Sequence, residues 1–162
     1  MNAPTQNIQL TPNQWRIRDT IIDNWLRRAG DQQPGLRRGP GVDGKQESLQ
    51  VYGYPFFNED LDHLLVNKGI PLNLGLPPVQ RHAPAYDMIL SMIPKRLDSS
   101  FQPWRWVHGP ADENDGRLLV LVVATNETWQ DLVMASDHAY LRAVRTALGH
   151  FGKQPSWFIE YD

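Results

Sequence analysis

Apolar and polar positions recur along this chain with two different periods, and each period predicts its own kind of element. From Thr11 to Gly30 the spacing is helical. Trp15, Ile21, Ile22, Trp25, Leu26 and Ala29 share one arc of a wheel, interrupted by Arg18. The start of this helix is marked four ways. Thr11 supplies an N-cap hydroxyl, Pro12 suits the first helical position, Gln14 completes a capping box, and Leu10 with Trp15 forms a hydrophobic staple. Gly30 marks its end.

Residues 31–48 lose all periodicity and are rich in Gly, Pro and Arg, which predicts a flexible linker or long loop that could set helix 11–30 apart from the main body as an arm. Residues 49–54 alternate Leu49, Val51 and Gly53 against Gln50, Tyr52 and Tyr54, a short strand stopped by Pro55. Asn58 then caps a helix whose first turns carry Glu59, Asp60 and Asp62 and which ends near Lys68 and Gly69. Residues 70–81 read as an irregular Pro- and Gly-containing connection, and Pro84 opens a third helix through Met92.

The clearest pattern is in residues 101–162. Residues 102–108 read as a strand, 110–116 as a polar turn, and 118–124 as a continuously apolar central strand covered on both faces. A helix capped at Thr125 or Asn126 is expected to run to Gly149. Trp129, Leu132, Val133, Ala139, Tyr140, Ala143, Val144 and Ala147 fall on its sheet-packing arc. Residues 156–161 close the unit as a strand parallel to 118–124. The expected fold is α+β: one domain, with residues 49–162 as the main body. A small mixed sheet carries this C-terminal β-β-α-β unit, strand 49–54 lies at an edge, and N-terminal helices pack on the sheet.

Composition narrows the function classes. The 162 residues contain no Cys, which removes disulfides, thiolate metal sites and cysteine nucleophiles. A formal net charge of -2 offers no general attraction for phosphate backbones or anionic lipid. The charge is uneven, at +2 over residues 1–47 and -3 over residues 101–162, so the two regions are suited to attract one another. The polar first ten residues lack a signal-peptide core, and no apolar run is long enough to span a bilayer. A cytoplasmic or nuclear protein with no membrane association is the default.

Few motifs carry chemistry. Gly39-Pro-Gly41-Val-Asp-Gly44 matches a dinucleotide fingerprint in letters, but no strand precedes it and no helix follows, so it reads as a loop. The Asp112–Gly116 turn has carboxylates without the spacing of a calcium loop and reads as a solvated hairpin tip. The five His show no metal-ligand spacing; no metal or cofactor is expected. The one constellation of interest is Pro103-Trp-Arg-Trp-Val-His108. On a strand, Trp104, Trp106 and His108 share one face, with Arg105 and Val107 on the other.

Three functions stay open. The first is a non-enzymatic protein-interaction or self-associating module that uses Trp15 or Trp25 of the first helix on a protein partner or second copy. The second is a small cofactor-independent acid–base enzyme (isomerase, cyclase or hydrolase). In it Trp104 and Trp106 bind an apolar or aromatic ligand, and His108 assisted by Arg105 does the chemistry. The third is nucleic-acid association through Arg27, Arg28, Arg37 and Arg38. The mixed-sign face of the first helix disfavours it.

Overall fold

The computed structural model describes residues 11–29, 33–40, 44, 46–95, 102–111, 113–149 and 154–161. In chain order the elements are α1 (Pro12–Ala29), β1 (Gln50–Phe56), α2 (Asn58–Asn67), α3 (Pro78–Arg81) and α4 (Ala83–Met92). These are followed by β2 (Trp104–His108), β3 (Arg117–Thr125), α5 (Trp129–Met134), α6 (His138–Leu148) and β4 (Ser156–Ile159). The α+β class stands.

The start of α1 follows its letters. Thr11 Oγ1 accepts from the Gln14 amide at 3.2 Å, and Gln14 Oε1 accepts from the Thr11 amide at 2.8 Å. Each side chain satisfies a donor that the first helical turn leaves bare. Leu10 and Gly30 lie outside the described residues. In α2 the cap is Phe57, not Asn58, and the Phe57 amide donates to Asp60 Oδ2 at 3.2 Å. The helix ends at Lys68, with Gly69 at φ +71° behind it.

The sheet has four strands in the order β2-β3-β1-β4, and every hydrogen-bonded neighbour is antiparallel. This corrects the mixed sheet. β4 does run in the same direction as β3, but β1 lies between them. β1 is therefore central, not an edge. Pro55 is tolerated there for a physical reason. The odd-numbered residues of β1 turn their main-chain groups toward β4, as the Glu160 N–H···O Leu49 bond of 2.8 Å shows. Because β4 begins opposite Gly53, Pro55 lies past it, where no donor is required.

The single long helix expected over 126–149 is two. Thr128 Oγ1 caps α5 by accepting from the Asp131 amide at 3.0 Å, and Asp137 Oδ1 caps α6 by accepting from the Tyr140 amide at 3.1 Å. The break at residues 135–137 resets the helical phase. Trp129 and Val133, placed on the buried arc by a continuous wheel, are 65% and 61% exposed. The supposedly irregular residues 78–81 form α3.

Two cores flank the sheet. Tyr54, Phe56, Leu119, Leu121 and Val123 pack against α2, α4 and α6. On the opposite face Val51, Val107, Leu118, Val120 and Phe158 pack around Ile22 of α1. The sheet curls until its edges touch at one end, where Val107 and Glu160 form an antiparallel bridge and the Tyr161 amide donates to Trp106 O at 2.9 Å.

Candidate functional site

β2 alternates as its sequence predicts, and its five residues pass from core to surface. Trp104 lies on the helix-covered face, edge-on to Phe56 with ring centroids 5.5 Å apart, and 5.5 Å from Tyr86 of α4. Its indole Nε1 is buried without a hydrogen-bond partner. Trp106, on the same face, receives the Arg117 guanidinium 5.5 Å from its ring centroid. Arg117 also lies 5.8 Å from the Tyr161 ring, and the exposed His108 ring stands 4.9 Å from Tyr161. The result is one guanidinium set between two aromatic rings, with the His108 ring beside the second, along the seam where the sheet closes.

Arg105 points to the other face, and its Nη1 donates to Glu160 Oε2 at 2.7 Å. It is thus separated from His108 by the sheet. The structure brings His108 together with Trp106, Arg117 and Tyr161, and Arg105 together with Glu160. An open groove of about 630 Å³ lies between the end of α4 and α6, where Met92, Ile93, Ala139, Arg142 and Ala143 line it. No β2 residue is among its walls.

The helix-borne residues fall differently. Trp15 is half-buried, and its ring meets His63 of α2 edge-on at 5.2 Å. The Trp25 side chain lies outside the described residues. α1 instead turns Ile17 and Ile21 outward, at 54% and 63% exposure, while its neighbour Ile22 is buried. Ile21 was expected on the buried arc. Among the described apolar side chains of α1, Trp15 and Ile22 reach the body and Ile17 and Ile21 do not.

A third cluster is invisible in the sequence. Asp62 of α2, Arg81 of α3 and His82 meet in the interior. His82 Nε2 lies 2.6 Å from Asp62 Oδ1, and Arg81 Nε donates to the same oxygen at 3.0 Å. His82 is fully buried, and its Nδ1 has no partner. No reactant can reach it in this state, so it serves to tie α2 to the α3–α4 corner. The hairpin tip is likewise not simply solvated. Glu113 is buried and accepts from the Asn58 amide at 2.7 Å, and the Asn58 and Asn114 amides bond each other at 3.0 and 3.2 Å.

Among the described residues no three His, Asp or Glu converge as metal ligands, and no helix is long and apolar enough to cross a membrane. Comparison with protein-family models, with curated proteins and with solved structures finds no match.

Proposed function

We propose that this chain is a protein-interaction module that docks a partner on the outward face of α1. The observation that carries this reading is the pair Ile17 and Ile21. They stand one helical turn apart, 54% and 63% exposed, on a helix held from its other side by Ile22 and capped at its start. Large apolar side chains at i and i+4 are the usual anchors of a helix laid in a partner's groove. Trp129 and Val133 of α5 repeat the arrangement at a second place. An acid–base reading gains less support, because Arg105 and His108 stand on opposite faces of the sheet and Arg105 is engaged by Glu160.

The test compares immobilised wild-type chain with an Ile17→Asp/Ile21→Asp variant for proteins retained from an extract of the source cells, alongside sedimentation of both. Loss of a retained protein, or of self-association, in the variant alone is the expected result. Identical behaviour of the two would remove the support for α1.

A further inference from the structure

The outward face of α1 is divided lengthwise into two rows. Ile17 and Ile21 run along one side, and Arg16 and Asp23 run along the other, all four exposed. At about 100° per residue, Arg16 and Asp23 fall within about 20° of each other, two turns or about 10 Å apart. Asn13, Thr20 and Asn24 lie between the rows and are exposed as well. Trp15 and Ile22 point the opposite way, into the body. No ion pair among the described residues engages the Arg16 guanidinium or the Asp23 carboxylate.

In chain order this face reads cation, apolar, apolar, anion. Turned end over end it reads anion, apolar, apolar, cation. The face is therefore complementary to itself when two copies of α1 lie antiparallel. The midpoint of Arg16 and Asp23 is about half a residue from that of Ile17 and Ile21, or about 0.75 Å along the helix. One two-fold axis thus serves both rows. It sets Ile17 against the second copy's Ile21, and Arg16 against the second copy's Asp23, once on each side of the axis. A parallel pair would instead set Arg16 on Arg16 and Asp23 on Asp23, like charge on like.

We propose that the outward face of α1 is a homodimer interface, with the two helices antiparallel about a two-fold axis near Asp19 and Thr20. This rests on the reading of α1 as a docking face and names its occupant, a second copy of this chain. The contact is isologous, so it closes at two copies and leaves no ridge free to propagate. The apolar row sets the contact and the charged row sets its direction. Two Ile per copy make a small interface, so the dimer is weak and reversible.

The experiment is sedimentation equilibrium of the full chain from about 10 µM to about 1 mM, which spans the affinities of small contacts. Wild type is expected to dimerise within that range. Arg16→Asp alone and Asp23→Arg alone each place like charges at both symmetric pairs, and each is expected to weaken the dimer about tenfold. Mixed in equal amounts, the two variants regain both attractions and are expected to form a heterodimer of wild-type strength. The double variant Arg16→Asp/Asp23→Arg is expected to dimerise by itself in the same way. Recovery in the mixture also shows that each single variant is folded. A monomeric wild type overturns the proposal, even where Ile17 and Ile21 still retain another protein and the docking face stands. A dimer indifferent to the single reversals, or not recovered in the mixture, overturns it equally. If that dimer is lost in Ile17→Asp/Ile21→Asp, α1 remains the docking face and only the antiparallel pairing fails.

Discussion

His82 Nε2 lies 2.6 Å from Asp62 Oδ1, with both side chains buried and their positions 20 apart in the chain. Arg81 shares the same carboxylate from 3.0 Å, so one acid compensates a permanent cation and orients an imidazole. Removing one member of a buried ionic cluster leaves the rest desolvated and unpaired. Asp62→Ala is therefore expected to cost about 3–5 kcal/mol in urea unfolding. In a double-mutant cycle, adding Arg81→Ala should cost little more. Additive losses would show that the two residues act independently.

A Cβ at Gly53 would stand 2.1 Å from the Leu121 carbonyl oxygen and 2.7 Å from Val120 Cγ1. The first of these is backbone, in the middle of the sheet, at the point where the β1–β3 register shifts. Gly53→Ala is expected to cost about 3 kcal/mol, at the upper end of overpacking effects. Gly69→Ala, which meets nothing within 4 Å, isolates the price of backbone conformation by comparison. Chemical denaturation of both variants checks the contrast.

Burial raises the hydroxyl pKa values of Tyr52, Tyr54 and Tyr86 above 10.0. For Tyr54 the desolvation is reinforced by Tyr52 and opposed by Arg145. Below pH 10 both folded and unfolded chains keep these protons, and the full stability is present. Above about pH 10 the unfolded chain releases them first, so stability falls as pH rises toward the folded values. Urea midpoints measured from pH 8 to 11 should decline across that upper range. In Tyr54→Phe the decline should be shallower. That variant should also lose about 1 kcal/mol at neutral pH with its hydroxyl bond to Leu141 O.

Leu121 is 1% exposed at the centre of the helix-covered core, and Leu121→Ala should cost about 2–5 kcal/mol. Ile17→Asp should leave stability within about 0.5 kcal/mol of wild type, because its side chain already stands in water. Thermal melts of the pair separate a core role from a surface one. A large loss at Ile17 would mean that it packs inward, contrary to its exposure.

Much of this fold was legible locally. The capping box of Thr11 and Gln14, the β2 alternation from Trp104 to His108, and the apolar run of β3 all follow from interactions between residues a few positions apart. Such interactions are written in the chain itself. The break before α6 was also there to read, since Asp137 is a good N-cap. A continuous helical wheel hid it.

What the sequence by itself determined is the class and position of its main elements and the side of β2 on which each aromatic stands. The tertiary structure alone decided that β1 is central, that Asp62 meets His82, that Ile17 and Ile21 face out, and that Glu160 closes onto Arg105. The reason is separation along the chain. Strand order and buried ion pairs join residues tens of positions apart, and which of many possible partners meet is settled by burying both sheet faces at once. No local pattern records that choice.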